Sequence, residues 1–280
     1  MDINEFFGTK KDAQPAGQRP VAASASLTVA PLLYGLEKSS GAYRLIVDNP
    51  AACSRRLKEG EVHLALIPSI DYAQGKGSWL IVPDLCVAHS GASKSICLFF
   101  NENVSRLRTV ALNKNTPSEE ILLKILLNER YQSLPEFIYT ESDPQKMLSA
   151  ADAALMVGDA ALGFQNTNPH YIDLTEEWYD FTGLPFVASL WCGNELLLNL
   201  RDVERLRASF AFGQEQMQSI CENWAKSHPL AVSDCLDVLN KKVYYTLKEE
   251  EQEGLKEYFR YAFYLGFTDH IPDLHFWQEP

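Results

Sequence analysis

Five short stretches of the chain set small residues beside hydroxyls, amides or a carboxylate where an apolar run gives way to a helix-forming one. They are Ser26 and Thr28, Pro68-Ser69, Ser93 and Ser95, Asn115-Thr116, and Gly158-Asp159. Junctions of this kind offer backbone N–H donors and neutral hydroxyls, a chemistry suited to gripping carboxylates rather than to nucleophilic attack. Each residue would also cap a helix with no ligand present, so one junction alone says little. Five of them, spread over two α/β units, point to a ligand cleft. Ser26, Ser69, Ser93, Asn115, Thr116, Gly158 and Asp159 are the candidate ligand contacts.

Other chemistries lack their signatures. There is no nucleophile elbow, no GxGxxG, no P-loop and no carboxylate-rich metal cluster. The six histidines are scattered and read as surface or packing residues, with His63 satisfied at a strand end. The six cysteines form no CxxC pair and no zinc-spaced cluster with histidine. The thiols suit a reduced, cytoplasmic chain.

The elements that must position these junctions are legible from the pattern. Gly60–Ser95 anchors the reading: a buried strand at Val62–Ile67, a Pro-Ser turn, one helical turn, a strand at Trp79–Val82, then the small-residue loop Ser90–Ser95. Before it come a strand at Val21–Ser24, a helix entered through Thr28 and Pro31, a strand at Tyr43–Val47 and a helix capped by Asn49-Pro50. This β-α-β-α-β order is the grammar of a parallel sheet with covering helices. From Ile96 a second unit follows, with strands at Ile96–Phe100, Thr109–Leu112, Glu136–Tyr139 and Ala153–Val157. Its first long helix is opened by Thr116-Pro117-Ser118-Glu119, which reads as a cap with proline at N1 and glutamate at N3. Beyond Leu196 the pattern is helical, notably Val203–His228 and Lys248–Leu265.

The expected fold class is therefore α/β, two-lobed, with a C-terminal helical segment. A loose leader would occupy 1–19, the first lobe 20–96 and 196–280, the second 97–195. One continuous doubly wound sheet is the competing arrangement.

The chain has 280 residues, 46% hydrophobic and 22% charged, which suits a globular protein with a large core. A formal charge of −12 argues against a nucleic-acid surface. It also means that an anionic ligand must be held by local features. No run is long and apolar enough for a membrane span or a secretory signal.

The segments GEVHLALIPSIDYAQG, IVPDLCVAHSGASKS, ADAALMVGDAAL and DLTEEWYDFTGLPFVASLWC, in this order, resemble the MqnA-type chorismate dehydratases of the futalosine route to menaquinone. The resemblance runs from about Val21 to Trp191. It implies a periplasmic-binding-protein-like (type II) fold and conversion of chorismate, a small dicarboxylate, to 3-[(1-carboxyvinyl)oxy]benzoate without cofactor. The family's base is taken to be the substrate's own enolpyruvyl carboxylate. A family serine falls on Ser95, and a family asparagine falls on Thr28; these two are the candidate catalytic residues. The family's Ser-Arg pair falls on Thr116-Pro117, so a carboxylate-gripping arginine is missing there, with Lys94 or Lys114 as possible replacements. The sister enzyme, which makes 1,4-dihydroxy-6-naphthoate, would be expected to show a histidine base, and no histidine of this chain marks a junction. The alternative is a small-carboxylate-binding protein that has lost turnover.

Overall fold

A computed structural model describes residues 18–38, 42–75, 78–101, 104, 106–165, 167 and 170–279. The expected leader lies outside the described residues as far as residue 17, and Arg19 already opens the first strand. In chain order the first half runs β1 (Arg19–Ala23), α1 (Ala30–Lys38), β2 (Tyr43–Val47), α2 (Pro50–Lys58), β3 (Leu64–Pro68), α3 (Ser69–Ala73), β4 (Trp79–His89), β5 (Ile96–Phe100), β6 (Thr109–Leu112), α4 (Pro117–Glu129), β7 (Glu136–Tyr139), α5 (Pro144–Ala150) and β8 (Ala153–Val157). The rest runs α6 (Asp159–Phe164), β9 (Tyr171–Asp173), α7 (Leu174–Thr182), β10 (Phe186–Asn194), α8 (Leu200–Glu215), α9 (Met217–Ala225), α10 (Val232–Lys241) and α11 (Glu249–Tyr264).

These strands form two sheets of five, ordered β2-β1-β3-β10-β4 and β7-β6-β8-β5-β9, which rules out one continuous sheet. The two sheets share a plan. In the first, β1 pairs in parallel with β2 and β3; in the second, β6 pairs in parallel with β7 and β8. Each is then extended by antiparallel strands, β10 and β4 in one and β5 and β9 in the other. The sequence reading expected a parallel sheet, and the sheets are mixed. It also placed residues up to 195 in the second lobe, whereas β10 pairs with β3 and β4 of the first sheet. An apolar run such as Phe186–Cys192 carries no mark of its direction or of the sheet it joins; pairing decides both.

Local chemistry accounts for the helix starts. Asn49 accepts a hydrogen bond from the Ala52 N–H at 2.9 Å and Pro50 occupies the first turn of α2, as the cap pattern requires. The cap expected at Thr116 forms differently: Pro117 does open α4, but the Thr116 side chain makes no cap hydrogen bond. Its hydroxyl donates instead to the Asn113 carbonyl at 3.2 Å.

The first turn of α4 is pinned to the first sheet from two sides. Tyr258 of α11 donates from its hydroxyl to the Ser118 carbonyl at 2.9 Å. The Ser118 hydroxyl sits 3.3 Å from that of Ser69 and accepts from the Ile70 N–H at 3.3 Å. One apolar cluster runs through this junction, taking in Ile67, Ile70, Leu122, Ile125, Trp178, Phe186, Leu255 and Phe259, all buried. Burying side chains of this size stabilises by about 1.5–3 kcal/mol each before entropy is counted. The α4 N-terminus is thereby a fixed wall rather than a loose end. Close helix packing does the same for α1: a Cβ on Gly213 of α8 would lie 1.9 Å from the Pro31 carbonyl oxygen, so only glycine allows this approach.

Candidate functional site

Carboxyl ends of strands from both sheets meet at one cavity of about 270 Å³. The first sheet contributes Ser24 and Ser26 after β1, Thr28 in the turn before α1, Pro50 at the start of α2, His89 at the end of β4, and Ser189 of β10. The second contributes Ser95 ahead of β5, Thr116 and Glu119 at the start of α4, Ser142 after β7, and Gly158 and Asp159 after β8. A crevice at the carboxyl ends of strands is the usual ligand position of open α/β sheets.

Of the candidate residues, Ser26, Thr28, Ser95, Thr116, Gly158 and Asp159 are brought together here. The other three stand outside the lining. Ser69 is fully buried and donates to the Val187 carbonyl at 2.7 Å, tying α3 to β10. Ser93 is fully buried behind the loop and its hydroxyl accepts the Ser95 N–H at 3.1 Å. Asn115 lies in an exposed turn, its N–H donating to the Asn113 side chain at 2.9 Å.

Ser95 is the distinctive hydroxyl. It is 2% exposed, and its Oγ has no hydrogen-bond partner among the described residues. A buried, unsatisfied hydroxyl costs about 1–3 kcal/mol, so a group held this way beside a cavity is poised for a ligand oxygen. Its neighbours fix it: the Ser95 carbonyl accepts the Gly158 N–H at 2.7 Å. Gly158 has φ +64°, a conformation natural to glycine, and a Cβ there would sit 3.9 Å from the Ser26 side chain across the cleft.

Across the same gap, the Asp159 carboxylate accepts the Leu27 N–H at 3.1 Å, joining α6 to the turn before α1. That turn also holds the Ser26 and Thr28 hydroxyls 3.1 Å apart. Burial raises the Asp159 pKa to about 6, against the pull of the Leu27 N–H.

Two titratable lining residues were not foreseen. His89 was grouped with the histidines read as surface or packing residues; it is 2% exposed and lines the cavity. Its Nδ1 faces the Lys242 carbonyl at 2.9 Å. A carbonyl only accepts, so Nδ1 carries the proton and the neutral ring leaves Nε2 as an acceptor. Burial lowers the His89 pKa and keeps the ring neutral. Its signal in the sequence was only its place at the end of an apolar strand.

The second is Glu119, read from sequence as a helix-capping residue. It is 9% exposed and lines the cavity, and burial pushes its carboxyl up to about 7, opposed by its own backbone N–H and assisted by Asp71. The acid at N3 was visible in the sequence; its burial depends on α4 being clamped against α3 and α11, which was not. His63, in contrast, is the satisfied packing residue expected, with Nδ1 at 2.8 Å from the Pro20 carbonyl and Nε2 at 3.3 Å from Asp202.

Among the described residues no lysine or arginine lines the cavity. Lys94 donates its backbone N–H to Asp173 at 2.6 Å, and the Lys114 ammonium lies over the Tyr139 ring at 5.4 Å, so neither replaces the missing arginine. All six cysteines are buried free thiols. A larger groove of about 740 Å³ runs between the start of β4 and residues 270–278, and it holds none of the junction residues. Among the described residues no helix is long and apolar enough to cross a membrane.

Comparison with known proteins supplies an independent view of this arrangement. Residues 20–264 match the model of a family described as menaquinone biosynthesis. The chain is 30% identical over 251 residues to the chorismate dehydratase of Thermus thermophilus, covering 82% of this chain and 90% of that one. Among solved structures, a protein from Archaeoglobus fulgidus superposes with a TM-score of 0.72 at 16% identity, covering 91% of this chain and 100% of the other. The periplasmic aliphatic sulphonate binding protein of Escherichia coli superposes with a TM-score of 0.66 at 12% identity, over 95% and 94%. The fold is periplasmic-binding-protein-like, as the resemblance implied.

Proposed function

The chain belongs to the menaquinone biosynthesis family, and from that membership we infer that it dehydrates chorismate to 3-[(1-carboxyvinyl)oxy]benzoate and water. The observation that carries the reading to a site is the cavity where Ser95 and Thr28 meet, with the Ser95 hydroxyl unpartnered. As a reaction this is a carbon–oxygen lyase step, and a cytoplasmic location suits its substrate and the six free thiols.

The chemistry asks for positioning more than for a reactive side chain. Removing the ring hydroxyl and the hydrogen on the neighbouring carbon makes the ring aromatic, so the driving force lies in the substrate. The site must hold a rigid dicarboxylate, polarise the departing hydroxyl and keep a base beside the C–H bond. Ser95 donates to the departing hydroxyl or to the adjacent carboxylate, satisfying its own unpaired Oγ in the process. Thr28 and Ser26 hold the opposite edge. The substrate's enolpyruvyl carboxylate, held close by these contacts, takes the ring proton. His89 offers an acceptor at Nε2 for a ligand hydroxyl.

The test is incubation of the purified protein with chorismate, following the benzoate product by chromatography and mass. Product formation at a rate proportional to enzyme supports the reading. Bound chorismate that raises the melting temperature and leaves no product favours the second reading, a binding protein, to which the absence of a cavity lysine or arginine lends weight. Neither binding nor turnover would remove the substrate assignment altogether.

A further inference from the structure

A cavity that takes a dianion and is lined by acids has an electrostatic problem to solve. Its titratable lining groups among the described residues are His89, held neutral, and the carboxyls of Glu119 and Asp159. Asp159 has a partner in the Leu27 N–H. Among the described residues Glu119 has no ion pair and takes no hydrogen bond from another residue, although it is nine-tenths buried. The elements packed on α4 do not relieve it. From α3 comes Asp71, a further carboxylate; from α11 comes Tyr258, whose hydroxyl is committed to the Ser118 carbonyl at 2.9 Å; α7 and β10 bring no charged group to the lining.

A ligand carboxylate set beside an ionised Glu119 would meet like charge in a poorly hydrated space, which strongly favours protonating one of the pair. Set beside a protonated Glu119, it would meet a donor, and an O–H to carboxylate hydrogen bond is among the stronger kinds. The unpartnered hydroxyl of Ser95, a residue that lines the same cavity, is an independent sign that this wall is completed by a ligand oxygen. Resting on the dehydratase reading for the identity of the ligand, we propose that Glu119 takes up a proton as the dicarboxylate binds and donates it in a hydrogen bond to one ligand carboxylate, standing in for the cation the cavity lacks. Binding then carries a proton with it and weakens as the pH rises above neutral. The carboxyl's raised pKa, about 7, puts that transition within reach of experiment.

Isothermal titration with the reaction product, which keeps both carboxylates and does not turn over, gives the proton count. At pH 8 the binding heats in phosphate and in Tris, two buffers of different ionisation enthalpy, should differ by the uptake of about one proton per ligand, and affinity should fall about tenfold per pH unit above neutral. Glu119→Gln keeps an N–H donor and has no proton to gain; it should show uptake near zero and an affinity flat with pH. Asp159→Asn should retain the uptake. Product binding with no proton uptake by the wild type, or uptake unchanged in Glu119→Gln, overturns the proposal. The wild-type count decides alone if the glutamine variant does not fold. If product does not bind and chorismate is not turned over, the dehydratase reading falls and takes this proposal with it; binding without uptake sinks the proposal alone.

Discussion

The two walls of the cavity are built to one plan and carry different chemistry. Both stand at the carboxyl ends of three parallel strands, β2-β1-β3 on one side and β7-β6-β8 on the other. The first wall is neutral: Ser24, Ser26, Thr28 and Ser189, with His89 held uncharged by burial. The second carries both acids, Glu119 buried and Asp159 half-buried, and the unpartnered Ser95. One wall thus presents neutral hydroxyls, while the other holds the carboxyls whose pKa values are raised. The same backbone plan gives opposite roles because the residue at the helix entry differs: Thr28 ahead of α1, Glu119 inside α4.

The sharpest test of that division is Ser95→Ala. Turnover of chorismate should fall by about 100- to 1,000-fold, the loss seen when a donor to a developing negative charge is removed. Melting temperature should hold or rise, because an unsatisfied buried hydroxyl is deleted. Unchanged turnover would break the assignment of the second wall as the reactive one.

Glu119 gives the next largest effect, on stability. Its pKa in the folded chain, about 7, lies above the ordinary 4.5, so the folded state holds the extra proton between those values. The associated stabilisation is complete below about pH 4.5 and is lost as the pH rises to 7, by roughly 3 kcal/mol at most. Glu119→Gln should therefore match the wild type in thermal melts near pH 4.5 and exceed it at pH 8. Parallel curves for the two proteins would mean that the carboxyl ionises as freely as in the unfolded chain.

How much of this was readable beforehand differs from residue to residue on both walls. The strands Tyr43–Val47, Ile96–Phe100, Thr109–Leu112, Glu136–Tyr139 and Ala153–Val157 have the bounds their apolar runs announce. The Asn49-Pro50 cap does as well, because a cap is decided within four residues. Ser26 and Thr28 on one wall, and Ser95, Thr116, Gly158 and Asp159 on the other, were equally legible as junction residues. Glu119 and His89 were not: an acid at N3 and a histidine at a strand end acquire their character from burial by α3, α11 and the 242–244 segment, contacts distant in sequence. Ser69 shows the reverse error, a junction hydroxyl claimed as a ligand contact that instead holds two elements together.

Two smaller effects sharpen the comparison at its seam. Asp159→Ala removes the acceptor for the Leu27 N–H and should cost about 1–2 kcal/mol, read as a lower melting temperature and a raised KM while the pH dependence due to Glu119 persists. Thr28→Asn, on the neutral wall, crowds the Ser26 hydroxyl 3.1 Å away. It should lower kcat/KM by less than about tenfold, a difference of under about 1.4 kcal/mol, and leave the shape of the pH profile unaltered. A changed profile would show that the first wall also sets protonation.

The central claim, that chorismate is dehydrated at this cavity, is tested most directly by one paired rate measurement. Wild type and Ser95→Ala, matched for folded protein by their melts, are given chorismate at pH 6.5 and benzoate product is counted over time. The structure predicts steady product from the wild type and a rate at least about 100-fold lower from the variant. Equal rates from the two would place the reaction elsewhere in the molecule, and no product from the wild type would remove the activity from this chain.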